Sequence, residues 1–189
     1  MAPGRGKGAV LMLVRGERCV IRRWRARDAA SVVRYANNFN VSRYLRDRFP
    51  YPYTMEHARA FLAGAVGEEG EETKFAIEVD GEAVGGIGVI PGADIERFSA
   101  EIGYWLGEPF WGRGIVSEAL VLITVRAFER LNLLRLFALA FAENAASTRV
   151  LEKAGYVCEG VLKSGAVKHG KVYDQLLYAR VNPSWRGVG

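Results

Sequence analysis

Cysteine is nearly absent from this chain: only Cys19 and Cys158 occur in 189 residues. Two cysteines so far apart match no metal-ligand spacing and form no disulfide framework, which points to a reduced, cytoplasmic setting. Histidine is equally scarce. His57 and His169 stand without metal-ligand company, so no metal is expected. Long apolar runs are also missing; none reaches membrane-spanning length, and no membrane partner is expected. The run Ala9-Val10-Leu11-Met12-Leu13-Val14 follows Arg5 and Lys7, yet it is short for a signal peptide and meets Arg15 without a small-residue cleavage site. Residues 1–7 read as a mobile basic tail. There is no internal repeat, linker or second domain.

A long block of one charge is lacking too. The net charge is +5, but Arg22, Arg23, Arg25 and Arg27, like Arg43, Arg46 and Arg48, are interleaved with acids and apolar residues. They read as solvated faces of folded elements. The excess suits a polyanionic small molecule as well as nucleic acid. No recognised nucleic-acid motif is present, so that partner ranks last.

What is present suits one globular domain: half of the residues are hydrophobic. Residues 19–24 read as a strand, and Asp28 as the N-cap of a helix whose buried face carries Val32, Val33, Tyr35 and Ala36. Residues 41–45 suit a short second helix. The prolines in Phe49-Pro50-Tyr51-Pro52-Tyr53 exclude regular helix there. Thr54 then caps a helix over 55–66, followed by an acidic loop at 67–72. Residues 73–79 alternate like a half-buried strand, Asp80-Gly81 is a two-residue hairpin signal, and 82–90 return. The glycines of that returning strand imply close backbone approach or a bulge. A strand over 97–106 leads to Phe110-Trp111-Gly112-Arg113-Gly114-Ile115-Val116-Ser117-Glu118. A helix, apolar nearly all round over 119–131, leads out and reads as well buried. Residues 133–141 are another strand, so strand, helix, strand implies a right-handed parallel crossover. A helix over 145–154 ends at Gly155, a natural C′ residue. Residues 157–162 and 171–181 form a last antiparallel pair, joined by a polar loop with Lys163, Lys168 and His169. The fold class is α+β.

Two stretches carry the chemistry. The glycine turn between a strand and a helix offers consecutive backbone N–H groups at the positive end of a helix dipole, a recipe for phosphate. Taken alone, any tight turn uses glycine for its freedom. The second stretch is Asn144-Ala145-Ala146-Ser147-Thr148-Arg149-Val150-Leu151-Glu152-Lys153-Ala154-Gly155-Tyr156. The crossover sets both at carboxyl ends of neighbouring strands, where open sheets bind ligands. With Glu101-Ile102-Gly103-Tyr104-Trp105-Leu106 they resemble the GNAT acyltransferase superfamily, and within it the branch of ribosomal-protein alanine and serine N-acetyltransferases. The loop at 43–54 also looks like that branch. The resemblance spans 18–181, with a basic lead-in over 1–17 and a tail over 182–189.

The resemblance implies a mixed, mostly antiparallel sheet with one splayed parallel strand pair, flanked by helices. It implies acetyl-CoA as co-substrate. The pyrophosphate would lie on the backbone of Gly112, Arg113, Gly114, Ile115, Val116 and Ser117. Val116 departs from the small residue expected there, and Arg113 reads equally as a solvated loop arginine. The pantetheine arm would meet Ile102, Gly103, Tyr104, Asn144 and Ser147, with a bulge expected at Gly103 or Tyr104. Asn144 is also a good N-cap. Transfer to an amine needs a base, an oxyanion donor and a proton for the leaving thiolate. Glu101 is the candidate base, or else a strand-face carboxylate paired with an arginine. A backbone amide near Ile102 to Tyr104 is the candidate oxyanion donor. Ser147 is the candidate for the thiolate, or else a helix-cap serine; Tyr104 and Tyr173 stand in reserve. Glu118 reads as helix stabilisation, and Asp174 as a solvated edge residue near the acceptor cleft. The acceptor, by branch analogy, is a protein N-terminal amine; a polyamine or antibiotic amine is the alternative. A non-catalytic acyl-CoA-binding module is the other class. Monomer and homodimer are both open.

Overall fold

The computed structural model describes residues 14–66 and 73–187. The expected basic tail at 1–7 and the acidic loop at 67–72 lie outside the described residues. One sheet of eight strands organises the chain: β1 (Val14–Arg15), β2 (Val20–Arg23), β3 (Lys74–Val79), β4 (Glu82–Pro91), β5 (Ser99–Leu106), β6 (Arg135–Phe141), β7 (Val157–Lys168) and β8 (Lys171–Val181). Their order is β1-β2-β3-β4-β5-β6-β8-β7. Only β5 and β6 run parallel among these neighbours; the others are antiparallel. Among the described residues five α-helices flank the sheet: α1 (Ala29–Ala36), α2 (Phe39–Ser42), α3 (Met55–Val66), α4 (Ile115–Leu131) and α5 (Ala145–Lys153).

Each face of the sheet has its own core. Phe75, Ile77, Val84, Val89 and Ile102 pack with Leu120, Ile123 and Leu151 of α4 and α5. Ala76 and Ala83 point the other way, among Trp24, Val32, Ala36, Ala58 and Leu62, where α1 and α3 lie. Strand β3 is therefore buried on both faces, not half-buried as its sequence implies. Its small Ala76 hides the second apolar face inside an alternating pattern. The Asp80-Gly81 turn takes φ of 50° and 83°, the left-handed pair a tight hairpin needs. The bulge expected from β4's glycines is real: Ile77 faces Gly85 while Glu78 faces Ala83, leaving Val84 as the extra residue. Close approach is real as well. A Cβ on Gly86 would stand 2.7 Å from Trp105 Nε1 and 2.9 Å from Trp24 Cζ2.

Several expectations are corrected. Arg22 is not on a solvated face: it is 3% exposed and forks onto Asp28 at 2.7 and 2.9 Å while also pairing with Glu78. Asp28 consequently spends its carboxylate on Arg22 and on the Arg25 backbone N–H (2.8 Å), and makes no side-chain cap to α1. Helix α4 is not apolar to the core all round; Val121 and Val125 face solvent, and Thr124 is buried against the Tyr156 hydroxyl at 2.7 Å. The polar loop expected between the last strands is mostly strand. Strands β7 and β8 run on to a tight turn at His169-Gly170, with φ of 51° and 74°. Edge-strand residues are solvated, so their composition imitates a loop. Among the described residues, no helix is long and apolar enough to cross a membrane.

Candidate active site

The site begins where one ladder stops. Strands β5 and β6 pair only at Ser99–Arg135, Ala100–Leu136 and Glu101–Phe137. Beyond Glu101 they part, while β5 stays in register with β4 up to Leu106 and β6 with β8 up to Phe141. The splay thus opens without the bulge expected at Gly103 or Tyr104. It leaves a cleft of about 1040 Å³. Glu101, Ile102, Gly103, Tyr104, Gly112, Gly114, Ile115, Val116, Ser117, Asn144 and Ser147 all line it. Sequence reasoning named every one of these.

The glycine turn is held by a residue that reasoning passed over. Trp111 donates its indole N–H to the Leu106 carbonyl at 2.8 Å, fastening the turn to the end of β5. Gly112 and Gly114 have φ of 74° and 75°, a region that costs other residues about 1–2 kcal/mol. Gly114 is the N-cap of α4, and no side chain caps that end. The N–H groups of Ile115, Val116 and Ser117 therefore lack intrahelical partners and stand at the positive end of the dipole. Arg113 is not part of the cleft lining; its guanidinium lies over the Phe110 ring at 5.5 Å.

Across the splay, Asn144 Oδ1 accepts from the Ser147 N–H at 3.2 Å, starting α5 as an N-cap. Ser147 Oγ lies 2.8 Å from the Tyr104 hydroxyl, which also reaches the Ser147 carbonyl at 3.3 Å. Burial pushes the Tyr104 phenol up to about 12, against the opposing effect of the Ser147 hydrogen bond. The phenol is therefore protonated at neutral pH, and either hydroxyl of the pair can donate to the other.

Glu101 sits on the last paired rung, and its carboxylate is engaged by Arg46 at 2.5 Å. The arginine-paired reading of this residue holds in the free protein. Arg46 belongs to a strap, residues 39–53, that crosses the mouth of the splay. Phe49 packs against Trp105 on the β5 side (5.4 Å), and Tyr44 against Phe141 at the end of β6 (5.8 Å). Asp47 bonds Lys168 of β7 at 2.7 Å.

Other candidates are engaged in structural contacts, His57 among them although it lines the cleft. Tyr173 packs on Phe141 outside the cleft lining, and Asp174 holds Lys163 and the Ser164 N–H, each at 2.8 Å. His57 accepts the Thr54 N–H at 3.1 Å and donates its own backbone N–H back to Thr54, a reciprocal cap for α3. Glu118 does more than steady its helix. It gathers the N–H groups of Glu17, Arg18 and Cys19, tying the β1–β2 turn to α4. Burial acts to raise the Glu118 carboxyl, but those N–H groups outweigh it and hold it below the usual range. Among the described residues no group of three His, Cys, Asp or Glu is placed to hold a metal.

Residues 18–157 match the family described as the acetyltransferase (GNAT) domain. The chain belongs to the GNAT acetyltransferases. It is similar to the uncharacterized N-acetyltransferase YoaA of Bacillus subtilis, at 30% identity over 171 residues, 88% of this chain and 95% of that protein. It is similar also to the ribosomal-protein-serine acetyltransferase of Escherichia coli, at 36% identity over 97 residues, 50% of this chain and 54% of that one. Among solved structures, Mycobacterium smegmatis RimJ in complex with CoA-disulfide superposes with a TM-score of 0.73 at 29% identity, covering 86% of this chain and 81% of that one. This GNAT protein is therefore an N-acetyltransferase, and the implied fold, mostly antiparallel with a single splayed parallel pair, is the one observed. In the GNAT chain the uncapped helix start and the Tyr104–Ser147 pair border one opening.

Proposed function

We propose that this N-acetyltransferase moves acetyl directly from acetyl-CoA to the α-amine of a protein N-terminus. The observation that carries the reading is the Tyr104–Ser147 hydroxyl pair, 2.8 Å apart, set in the same cleft as the uncapped start of α4. The pyrophosphate lies on the amides of Gly112 to Ser117, and the pantetheine arm runs in the gap beside Ile102, Gly103 and Asn144. The neutral amine attacks the thioester carbonyl. The new N–C bond forms as the C–S bond breaks, and alignment supplies much of the rate. The oxyanion takes an N–H from the opened stretch of β5. Glu101 accepts the amine proton, directly or through a water, once the acceptor has displaced Arg46. Ser147, backed by Tyr104, donates to the departing thiolate. No covalent enzyme intermediate is needed. The likeness to a ribosomal-protein-serine acetyltransferase over half of the chain supports a protein acceptor. A cytoplasmic setting fits such an acceptor.

An acceptor screen tests this. Free CoA release is followed across peptide N-termini and small amines, and the acetylated atom is located by mass spectrometry. Acetylation of peptide α-amines at rates above those of spermidine and aminoglycosides is expected. Turnover confined to small amines contradicts the acceptor, and no turnover with any amine contradicts the catalytic roles.

A further inference from the structure

The charges around the cleft are one-sided. Arg43, Arg46, Arg48, Lys74, Arg149 and Lys153 line it, against Glu101 as the single carboxylate among the described lining residues. Arg149 and Lys153 ride on α5 beside Asn144 and Ser147, on the donor side of the cleft in the proposed mechanism. The strap arginines sit differently. They belong to the segment that bridges the mouth from Trp105 to Phe141.

The described acids on and beside the strap are already engaged. Asp47 holds Lys168 at 2.7 Å, and Glu101 holds Arg46. Arg43 is fixed over the Tyr44 ring at 4.9 Å, and Tyr44 in turn rests on Phe141. Arg43 and Arg48 face solvent, and neither has a carboxylate partner among the described residues. Among the described residues two guanidinium groups thus stand without a carboxylate partner at the mouth, one of them preorganised by stacking. When an ammonium acceptor enters and takes Glu101, it also releases the guanidinium of Arg46.

The geometry points to an acceptor whose amine is followed closely by carboxylates: an N-terminus with Asp or Glu in its first few residues. The same strap repels polycations such as polyamines. This rests on the proposed transfer to a protein N-terminus and names the kind of N-terminus. The arginine fork suits carboxylates in particular, and opposed charge at a cleft mouth raises both encounter rate and selectivity.

The test compares two peptides, identical except for three aspartates or three lysines at positions 2 to 4, together with spermidine. It uses wild type and the double variant Arg43→Glu/Arg48→Glu, whose sites are exposed and outside the catalytic groups. Wild type is expected to favour the aspartate peptide in kcat/KM by about tenfold at low salt, with the ratio shrinking at high salt. The double variant is expected to lose or invert that preference while keeping its KM for acetyl-CoA. Equal use of the two peptides, a preference unmoved in the variant, or a preference for spermidine overturns the inference. So does a raised KM for acetyl-CoA with peptide preference intact, which assigns these arginines to the donor. If neither peptide is acetylated but small amines are, the N-terminal reading fails, and L-glutamate against L-lysine amide decides the charge rule. Preference for glutamate sustains the rule and preference for lysine amide overturns it. Absence of turnover with every amine overturns both.

Discussion

In the proposed mechanism two residues, Ser147 and Tyr104, govern how the thiolate leaves. Replacing Ser147 with Ala removes the proposed donor but leaves Asn144 to cap α5, so kcat is expected to fall about 10²-fold or more with little change in the KM for acetyl-CoA. Tyr104→Phe keeps the ring in place and removes only the hydroxyl behind Ser147; a smaller loss in kcat is expected. Unchanged steady-state rates in Ser147→Ala would remove that residue from the mechanism. Glu118 gives a second test at this scale, in stability. Its carboxyl is held below its ordinary value of 4.5 in the folded protein. The contribution is therefore present above that value and fades as pH falls through the lowered one. Glu118→Gln should cost about 1–3 kcal/mol at neutral pH, and its deficit should shrink in acid denaturation curves below pH 4. A deficit that is the same at pH 3 and pH 7 would show that the charge of Glu118 is not what holds the β1–β2 turn. Roles carried by neighbours in sequence were legible here. Asn144 and Ser147 sit three apart, and that spacing alone implies a cap. Arg22 was not legible, because its partners Asp28 and Glu78 come from a separate helix start and a separate strand. Nothing in an arginine-rich run says which guanidinium will be buried.

At the scale of elements, the strand–turn–helix unit was readable, because Gly112 and Gly114 mark it and the apolar run of α4 follows. The unit makes a sharp prediction. Gly114→Ala adds only left-handed strain, about 1–2 kcal/mol, with the Arg18 side chain 3.4 Å from the new methyl. Acetyl-CoA should still raise the melting temperature of that variant. Gly114→Glu puts a carboxylate where the pyrophosphate belongs, and the acetyl-CoA-dependent shift should vanish. A full shift in Gly114→Glu, read by differential scanning fluorimetry, would mean that the phosphates bind elsewhere. The strap over 39–53 was much harder to foresee. Its prolines excluded helix, yet the side chains that fix it, Tyr44 on Phe141 and Phe49 on Trp105, meet partners more than fifty residues away in sequence. The long β7–β8 hairpin hid for another reason. Lys163 and Ser164 fall in an irregularity between Leu162 and Ala166, and only the resumed pairing of Ala166, Val167 and Lys168 with β8 shows that the strand continues.

For the whole molecule, the sheet holds a splayed strand pair fastened at one end. Three rungs join β5 to β6 at Ser99, Ala100 and Glu101, and everything beyond them is held open by the outer neighbours β4 and β8. Helix α4 closes one side of the opening, and the strap crosses its mouth. The proposed mechanism thereby keeps donor and acceptor to different walls of one cleft. This explains why the donor was so much more visible in the sequence than the acceptor. A phosphate cradle needs glycines at fixed positions, whereas an acceptor wall needs only suitable charge on a loop. The most direct test of this arrangement is the structure of the protein bound to CoA. The account predicts pyrophosphate oxygens on the amides between Gly112 and Ser117, the pantetheine arm between β5 and β6, and the thiol within hydrogen-bonding reach of Ser147 Oγ. CoA bound outside the splay, or with its thiol directed away from the Tyr104–Ser147 pair, would contradict it.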